Sequence, residues 1–581
     1  MRTVSIPGSI FLLLLTLGFR GSESQSFTWW TTSALVKVRP SDVPPSVRRS
    51  VTLHAARNEF ESFQVVVRND SAAVPNIDVE ISDLTGPSGS IISNTHVTIY
   101  FERYLNLSRP SSIAGGVGEW PDPLIPRVDQ YDHERRNAFP FTLPKGRSQP
   151  LWIEIYVPPE TRPGHYGATA TVFSDNTTLV AIPLSLDVWD FALPSTSSLK
   201  TAFGFNGVTA LKQHLGRYTD DADMRAISHV YTRAALLHRI SAFVGPMIAP
   251  PFSLTNGVMT VDWTAYDTDI GSFLDGTGLS KSDPLPGARA TSVELRTHGS
   301  ATTDAEKTLY WRAWTRHFQE KGWLDRLFNY LQDEPTAAQM PAVFNSAVLA
   351  HHADHRLRNL VTSPLRSVLE GTIDIWTPLI NCFETKTGSP EFCEPTVSRR
   401  AYDSETRQQK SLWWYQSCAS HGCDIVGGKY FTGWPSYVID SSAVSNRIMS
   451  WMSWKYRIEG ELYYNMVEAF GRDVDPLEDV FLHGGNGDGT LFYPGRPKAI
   501  GGTTQIPLES IRLKLIREGL EDYEYFVILS NLTDSTTSDR WVDQIVQNTY
   551  TFDSRPESLY AVREKLGEEI QRRFQAKATP R

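Results

Sequence analysis

The sequence predicts a protein in two parts, an N-terminal antiparallel β-sandwich followed by a (β/α)8 barrel. Three observations carry this prediction. Short alternating segments separated by turn residues run to about residue 193, a strand-then-helix rhythm begins after residue 198, and the second part holds eight strand candidates. With 581 residues, 40% hydrophobic and 21% charged, the chain has ordinary globular composition and enough length for more than one domain.

The first 24 residues are typical of a secretory signal peptide. Arg2 supplies the positive end, residues 10–17 form an apolar core too short to span a bilayer, and Ser22 and Ser24 provide small residues for cleavage near Gln25. No later stretch has the pattern of a membrane span, so we expect a secreted or lysosomal protein. Glycosylation sequons agree with that destination, and we expect some of them to be unused: Asn69, Asn106, Asn176 and Asn531.

Residues 27–193 are predicted to form the sandwich. Alternating apolar and polar residues are typical of antiparallel strands with one buried face, and Pro, Gly and Asn separate them. The pattern occurs in segments 48–56, 61–69, 96–107, 149–158, 165–174 and 179–191. The Pro-Ser-Thr-Ser-Ser run at 194–198 is predicted to link the two domains.

Residues 199–575 are predicted to form the barrel together with C-terminal helices. The eight candidate strands are 200–206, 240–247, 291–297, 326–332, 358–364, 373–380, 411–417 and 461–467. Helical stretches lie between most of them, at 219–239, 304–321, 337–352, 440–457 and 508–530. This count favours a (β/α)8 barrel with enlarged loops over a doubly wound open sheet, because no GxGxxG motif follows a strand.

Charge and motif content exclude several kinds of partner. The net charge is -9 and the pI is near 5.9, which gives no indication of nucleic-acid binding. Neither a CxxC nor an HExxH pattern occurs, so we expect no metal site and no cofactor. The sequence leaves the oligomeric state open.

The four cysteines lie close together in the second part of the chain. In an oxidising compartment they can form two local disulfides, Cys382 with Cys393 and Cys418 with Cys423. Four cysteines allow three connectivities, and the sequence does not choose among them.

The stretch NYLQDEP places Asp333 and Glu334 side by side at the end of the fourth predicted barrel strand. Barrel enzymes carry their catalytic residues at this C-terminal end of the strands. The next helix does not need these acids as caps, because Thr336 and Gln339 have the spacing of a capping box. Neighbouring side chains of a regular strand point to opposite faces, so both acids reach one pocket only if the chain leaves extended geometry here.

Adjacent carboxylates are poorly arranged to flank a glycosidic bond from opposite sides, as conventional glycosidases require. They suit a substrate-assisted mechanism, in which the 2-acetamido oxygen of the sugar attacks its own anomeric carbon. Asp333 would then hold the acetamido N–H, while Glu334 would protonate the leaving oxygen and later activate water. The expected partner is therefore a glycan or glycoconjugate substrate.

Six motifs, in this order, resemble glycoside hydrolase family 123: AARNEFESFQVVV (55–67), NYLQDEP (329–335), LWWYQ (412–416), RIMSWMSWKYRIEGELYY (447–464), DGTLFYPG (488–495) and LIREGLEDYEYF (515–526). The resemblance covers most of the chain after the signal peptide. It implies a β-sandwich before a (β/α)8 barrel, exo-acting β-N-acetylgalactosaminidase activity and substrate assistance. The catalytic Asp-Glu pair of the family matches Asp333 and Glu334.

Aromatic side chains at other strand ends are predicted to wall the sugar pocket, because the C–H faces of sugar rings stack on aromatic rings. By resemblance to other substrate-assisted enzymes, a tyrosine hydroxyl should hold the acetamido oxygen, and Tyr415 is the candidate. The other predicted contacts are Trp376, Trp414, Trp434, Tyr464 and Asn465.

Two other functions stay open. A conventional retaining glycosidase would use a separate carboxylate nucleophile, for which Glu468 is the candidate. A non-catalytic carbohydrate-binding protein is the other alternative, although binding alone does not require two adjacent acids.

Three further polar stretches are given structural roles. Asp440 is expected to cap the helix at 440–457, and the acidic stretch 516–526 is expected to form a helix with one solvated face. The stretch NGDGT at 486–490 lacks the ligand spacing of a calcium loop, so we expect a mobile loop near the barrel mouth.

Overall fold

The computed structural model describes residues 27–45, 50–243, 249–388, 396–421, 423 and 425–578. The predicted signal peptide, residues 1–24, lies outside these described residues. Most strands belong to two seven-stranded sheets, built mainly from the N-terminal part of the chain, and to one eight-stranded sheet in the C-terminal part.

The first seven-stranded sheet is antiparallel and takes strands from both parts of the chain. Its order is Phe27–Ser33, Glu59–Asn69, Ser148–Val157, Val97–Leu107, Gly118–Pro126, Ile506–Ser510 and Phe492–Gly495. The last two strands come from the segment predicted to belong to the barrel domain. This sheet therefore continues across the predicted linker at 194–198 and ties the two parts of the molecule together.

The second seven-stranded sheet contains one parallel pair, so the prediction of a purely antiparallel arrangement is wrong at that pair. Its strands are Val51–Arg57, Thr177–Ala192, Gly164–Ser174, Val74–Ile81 and Phe141–Leu143, with the short strands Leu84–Thr85 and Ile91–Ile92 at its side. Val51–Arg57 runs parallel to Thr177–Ala192, and at Asn58 the chain crosses into the first sheet. Alternation of residues reports which face of a strand is buried, and it carries no information on the direction of the neighbouring strand.

One apolar core lies between these two sheets. Val65 and Val67 of the first sheet belong to the same buried cluster as Val79, Val172 and Leu186 of the second. All five side chains are fully buried. Burial of this shared face is the main driving force that holds the sheets together.

The eight-stranded sheet is parallel and follows the predicted strands one for one. In chain order its strands are Lys200–Gly204, Ala242–Phe243, Val293–Glu294, Leu327–Gln332, Arg358–Val361, Ile375–Trp376, Ser411–Tyr415 and Gly460–Tyr463, and we refer to them as the first to eighth barrel strands. The ladder starts at the second barrel strand, passes through the first and eighth, and ends at the third. The sheet is therefore a nearly closed barrel whose seam lies between the second and third strands.

Helices occur in all five predicted stretches, and two further helices, Gly207–Leu215 and Thr264–Asp275, were not predicted. The helices of eight or more residues are Gly207–Leu215, Asp221–Leu237, Thr264–Asp275, Asp304–Glu320, Met340–Ala353, Met449–Tyr456, Ile511–Leu532, Ser535–Val542 and Pro556–Ala578. A capping box between Thr303 and Glu306 explains the start of the fourth of these helices. Within the described part of the chain, none of the helices combines the length and the apolar character needed to cross a membrane.

The helix Ile511–Leu532 is buried along most of its length, which corrects the prediction of one solvated face for residues 516–526. It contacts the first sheet as well as the helices Met449–Tyr456 and Pro556–Ala578. Its charged side chains pair with charges from these neighbours instead of with water, as Lys514 does with Glu154 at 3.0 Å. The acidic and basic residues of this helix therefore belong to an ion-pair network inside the protein.

Candidate active site

Asp333 and Glu334 follow the fourth barrel strand at its C-terminal end, and the backbone leaves extended geometry there as predicted. The pairing register with the fifth strand shifts between Tyr330 and Gln332, which inserts a bulge just before the acids. Glu334 has a φ of 42°, in the left-handed region that side-chain-bearing residues adopt infrequently. The bulge and this turn break the strand alternation that would otherwise send the two side chains apart.

The Asp333 carboxylate is held by two neutral hydroxyl groups. Its Oδ1 accepts hydrogen bonds from the Tyr330 hydroxyl at 2.8 Å and from Thr362 Oγ1 at 3.0 Å. The side chain is exposed to solvent. Asp333 is thus oriented by the barrel wall while it stays open to a ligand.

The Glu334 residue is held at its backbone and at its side chain. Its N–H donates to Thr362 Oγ1 at 2.8 Å, and its Oε1 accepts from the Tyr415 hydroxyl at 2.5 Å. Tyr415 ends the seventh barrel strand, so this bond reaches across the barrel mouth from the fourth strand. Tyr415, predicted to belong to the site, is therefore brought into direct contact with one of the two acids.

The two tyrosines around the acids keep their hydroxyl protons. Burial, followed by the charge of Asp333, raises the pKa of Tyr330 well above its ordinary value. Burial, followed by the charge of Glu334, does the same for the pKa of Tyr415. Both phenols are consequently hydrogen-bond donors to the acids throughout the physiological pH range.

A cavity of about 700 Å³ opens beside Glu334. Thr362 and Tyr415 lie in its wall with Glu334, and the remaining polar lining includes Ser363, Arg366 and Ser420. The apolar residues of the lining are Pro335, Ala337, Met340, Pro341, Pro364, Val368 and Leu379. The volume suits a small ligand such as a sugar residue with part of its aglycone.

Trp376 and Trp414 do not line this cavity, which corrects their prediction as pocket walls. Both are fully buried, and their indole N–H groups donate to Glu405 and Ser453, each at 3.1 Å. They belong to the core between the barrel and its outer helices, because alternate residues of a barrel strand point inward and outward. Since Tyr415 points inward, its neighbour Trp414 points outward.

Trp434 also packs in the interior instead of lining the cavity. It is 4% exposed, and its indole N–H donates to the Tyr430 carbonyl at 2.7 Å. Its ring contacts Tyr550 at a centroid distance of 5.1 Å. The prediction of a sugar contact for Trp434 is therefore replaced by a packing role.

Tyr464 and Asn465 follow the eighth barrel strand, at the same end of the barrel as the acids. The Tyr464 hydroxyl donates to Asp488 Oδ2 at 3.0 Å, and Asn465 Nδ2 donates to Glu468 Oε2 at 2.6 Å. Neither residue lines the cavity beside Glu334. Substrate contact by Tyr464 and Asn465 stays a prediction.

The glycine-rich turn at 486–490 is a buried anchor, which corrects its prediction as a mobile loop. Asp488 is 1% exposed, and its Oδ2 accepts from the Ala419 N–H at 3.1 Å as well as from Tyr464. Burial raises the pKa of Asp488 above its ordinary value. The turn therefore joins the segment after the seventh strand to the end of the eighth.

Asp440 connects the barrel to the N-terminal part and does not cap a helix. Its carboxylate accepts from the N–H groups of Ser111 at 2.8 Å and Gly116 at 3.2 Å. The helix predicted to begin at residue 440 begins at Ala443, and Ser442 caps it. The N-cap prediction for Asp440 is wrong, because the Ser442 side chain, directly before the helix, accepts the capping hydrogen bond instead.

The Cys418–Cys423 disulfide is present, just beyond Tyr415 and the seventh strand. The other expected bridge, Cys382 with Cys393, involves a residue outside the described part of the chain. Within the described residues, no group of three or more His, Cys, Asp or Glu side chains is arranged to hold a metal ion.

Sequence reasoning missed Tyr330 and Thr362, which hold the two acids. A usable signal existed for both. Thr362 follows the fifth barrel strand directly, and polar residues at that end of barrel strands point toward function. Tyr330 lies within the NYLQDEP stretch itself, three residues before Asp333.

Two family models match this chain. Residues 36–174 match the glycoside hydrolase 123 N-terminal domain, and residues 299–529 match the glycoside hydrolase 123 catalytic domain. The second match contains Asp333, Glu334, Thr362 and Tyr415. No curated protein is similar enough to this chain to count as a match.

Solved structures with a similar fold include a family 123 glycoside hydrolase from Clostridium perfringens, whose structural analysis concerned glycolipid glycan hydrolysis. Its TM-score is 0.68 at 14% identity, and the alignment covers 95% of this chain and 100% of that one. A GH5 xyloglucanase from Bacteroides ovatus aligns over 81% of this chain and 98% of its own, with 10% identity and a TM-score of 0.28. At 14% identity, the similarity to the Clostridium perfringens structure supports the fold alone. The TM-score of the xyloglucanase is too low to support even a shared fold.

Proposed function

This chain belongs to glycoside hydrolase family 123, and we propose that it removes terminal β-linked N-acetylgalactosamine, or a related 2-acetamido sugar, from the ends of glycans. The proposed reaction retains the anomeric configuration through substrate assistance. The observation that supports the proposal is the adjacent pair Asp333 and Glu334 at the end of the fourth barrel strand, where Thr362 contacts both residues and Glu334 accepts a hydrogen bond from Tyr415.

In the proposed first step, the acetamido oxygen attacks the anomeric carbon as the bond to the leaving oxygen breaks. Glu334 gives its proton to that oxygen, and Asp333 accepts the acetamido N–H and stabilises the positive charge of the oxazolinium ion. In the second step Glu334 removes a proton from water, which attacks the anomeric carbon and restores the acetamide. Two inversions at one carbon give retention.

Tyr415 is proposed to change its partner when substrate binds. Its single hydroxyl proton is donated to Glu334 at 2.5 Å, so it is not available to an acetamido oxygen at the same time. We infer that the acetamido oxygen takes over this hydrogen bond. Glu334 is then free to turn toward the leaving oxygen.

The glycan of a glycolipid is the natural substrate that we favour. The Clostridium perfringens protein is described for hydrolysis of such glycans. In this chain the cavity wall beyond Glu334 includes Pro341 and Val368. Val368 is 52% exposed, and Phe344 and Val348, on the same helix as Pro341, are 37% and 45% exposed. This apolar surface suits the lipid side of a glycolipid.

A conventional retaining glycosidase is the second candidate, because Glu468 lies beyond the eighth barrel strand and the Asp-Glu pair beyond the fourth. In an eight-stranded barrel these positions are on opposite sides. Carboxylates on opposite sides of a bond are the arrangement that covalent catalysis uses. The Glu468 carboxylate already accepts a bond from Asn465, which would orient a nucleophile equally well.

Export from the cytosol is also proposed. The N-terminal 24 residues have the pattern of a signal peptide, and the Cys418–Cys423 disulfide is typical of oxidising compartments. Asn106, Asn176 and Asn531 are exposed, so these sequons are open to glycosylation, whereas Asn69 is 4% exposed. Expression in a secretory host, followed by enzymatic removal of N-glycans and peptide mapping, tests this proposal. We expect glycans at one or more of the three exposed asparagines and none at Asn69.

A panel of aryl β-glycosides tests the proposed activity. The panel contains N-acetylgalactosaminides, N-acetylglucosaminides and the matching galactosides and glucosides. We expect turnover only of sugars with a 2-acetamido group, and faster turnover of the N-acetylgalactosaminide. Equal turnover of the 2-hydroxy sugars would contradict substrate assistance, and no turnover of any glycoside or of glycolipid glycans would favour a binding protein.

A further inference from the structure

A single buried threonine hydroxyl lies between the two acids. Thr362 follows the fifth barrel strand and is 3% exposed. Its Oγ1 accepts from the Glu334 N–H at 2.8 Å and donates to Asp333 Oδ1 at 3.0 Å. One group therefore contacts the backbone of one acid and the carboxylate of the other.

The bond to the Glu334 N–H supports a backbone conformation that glutamate seldom adopts. The φ of Glu334 is 42°, and such conformations persist only where the surroundings determine them strongly. Thr362 holds this conformation in place from the end of the fifth barrel strand, through its bond to the Glu334 N–H. The last residue pair between the two strands is Val361 with Gln332. Without the hydroxyl, the turn that aims the Glu334 side chain loses its tie to the barrel wall.

The bond to Asp333 selects which carboxylate oxygen faces the substrate. Thr362 and Tyr330 both donate to Oδ1, and their hydroxyl oxygens lie 3.2 Å apart. With Oδ1 occupied by two donors, Oδ2 is the oxygen that we assign to the acetamido N–H. Removal of one donor would allow the carboxylate to rotate.

We propose that Thr362 is a positioning residue that sets the orientation of both catalytic acids, an inference that rests on the proposed function. Thr362 does not act as an acid, base or nucleophile in this scheme. Its effect passes through Asp333 and Glu334, so its loss should lower the turnover number more than it weakens substrate binding.

The test compares Thr362→Val, which keeps the shape and removes the hydroxyl, with Thr362→Ser, which keeps the hydroxyl. Thr377→Val is the matched control. Thr377 follows the sixth barrel strand, is fully buried, and its hydroxyl has no hydrogen-bond partner among the described residues. The readouts are kcat and KM on an aryl 2-acetamido glycoside, the Ki of a thiazoline analogue of the oxazolinium ion, and the thermal unfolding midpoint.

We expect T362V to lose about 100-fold in kcat, since a displacement of about 1 Å has consequences of this size. KM should change little, and the Ki of the thiazoline should rise about 10-fold, because the analogue depends on the same carboxylates. T362S should keep most of the activity, and T377V should match the wild type. A role confined to folding would lower the yield and the unfolding midpoint without changing the Ki.

Three results would overturn the inference: wild-type kcat and Ki in T362V, equal losses in T362S and T362V, or equal losses in T377V and T362V. If T362V does not fold, Thr362→Ala serves in its place with the same expected kcat and Ki. A wild-type enzyme that neither hydrolyses 2-acetamido glycosides nor is inhibited by the thiazoline would contradict the proposed function as well. A wild type that responds to both, with T362V unchanged, would defeat the role of Thr362 alone.

Discussion

The acids of this protein are held in two contrasting ways at the barrel mouth and at the junction of the two parts. At the mouth, Asp333 and Glu334 are exposed and accept hydrogen bonds from uncharged hydroxyl groups of Tyr330, Thr362 and Tyr415. These neutral donors fix the direction of each carboxylate without supplying a positive charge. Both side chains also stay accessible to a substrate.

At the junction, by contrast, buried acids are paired with arginine. Arg563 contacts Glu61 at 2.7 Å and Asp522 at 2.8 Å, and Arg447 contacts Asp522 at 2.7 Å. Each of these side chains is almost completely buried. These charge-assisted hydrogen bonds join helices of the second part of the chain to the first sheet, so the buried acids at the junction hold the structure together and are closed to a substrate.

The largest effect that this contrast predicts is in Glu334→Gln. The variant lacks the proton for the leaving oxygen, so turnover of a natural oligosaccharide should fall by about 10²–10⁴-fold with binding largely retained. Aryl glycosides with good leaving groups should be less affected in the glycosylation step. Steady-state and single-turnover kinetics measure both, with Glu370→Gln, another exposed acid, as the control. Wild-type rates on the oligosaccharide would remove Glu334 from the acid role.

Asp333→Asn should lower the rate for every substrate, whatever its leaving group. An amide neither carries the charge that stabilises the oxazolinium ion nor accepts the acetamido proton in the same way. The loss should be about 10²-fold or more, as for other preorganised electrostatic groups. A rate profile over a series of aryl leaving groups measures this. A defect confined to poor leaving groups would mean that the roles of Asp333 and Glu334 are exchanged.

Arg447→Met should unfold the junction instead of damaging catalysis. It removes the guanidinium partner of the buried acid Glu518 and leaves Asp522 with Arg563 alone, and breaking such a buried pair costs about 3–5 kcal/mol. The matched control is Arg147→Met, which breaks a partly exposed pair with Glu119 and should cost at most about 1 kcal/mol. Denaturant unfolding measures both free energies, and kcat of the folded Arg447→Met fraction should stay near the wild-type value. An equal cost for the two variants would contradict the contrast between the regions.

A smaller effect on stability is expected from the titration of Glu461 with pH. Glu461 is a buried acid of the eighth barrel strand and has no arginine partner among the described residues. Burial raises the pKa of Glu461 to about 7, against the opposing hydrogen bond from Tyr437. Between its unfolded pKa of 4.5 and about pH 7, the folded state keeps a proton that the unfolded state has lost. Stability from this group is therefore complete below the unfolded pKa and is lost as pH rises through the folded pKa.

Glu461→Gln isolates that pH effect, because glutamine accepts the same bond from Tyr437 without titrating. Relative to the variant, the wild type should lose up to about 1.4 kcal/mol of unfolding free energy per pH unit across the window. Thermal unfolding at several pH values from about 5 to 7.5 measures the difference between the two proteins. Parallel pH profiles for the wild type and the variant would show that Glu461 does not titrate in this range.

Most of the architecture was predictable from the sequence because strand and helix periodicity is a local property. The eight barrel strands and the position of Asp333 and Glu334 follow from that periodicity, and the kink at Glu334 follows from the need to bring two neighbours to one site. The parallel partner of Val51–Arg57 was not predictable, since alternation does not encode the direction of a neighbour. The burial of Ile511–Leu532 was missed for a related reason, because its ion-pair partners are remote in sequence.

The aromatic contacts were the least predictable part of the candidate site. Residue type alone does not distinguish a tryptophan that meets a sugar from one that packs behind a barrel strand. Strand alternation would have separated Trp414 from Tyr415, because two neighbours cannot both point into the barrel. Thr362 was missed because its importance arises from a contact with the neighbouring strand, which only the folded barrel brings together.

The most direct test of substrate assistance is intact-protein mass spectrometry after incubation with a 2-fluoro glycoside that has a good leaving group. Such a sugar lacks the acetamido nucleophile, so Asp333 and Glu334 should leave it unreacted and the protein mass should not change. A stable mass increase that maps to one carboxylate, such as Glu468, would contradict substrate assistance and establish a covalent nucleophile in its place.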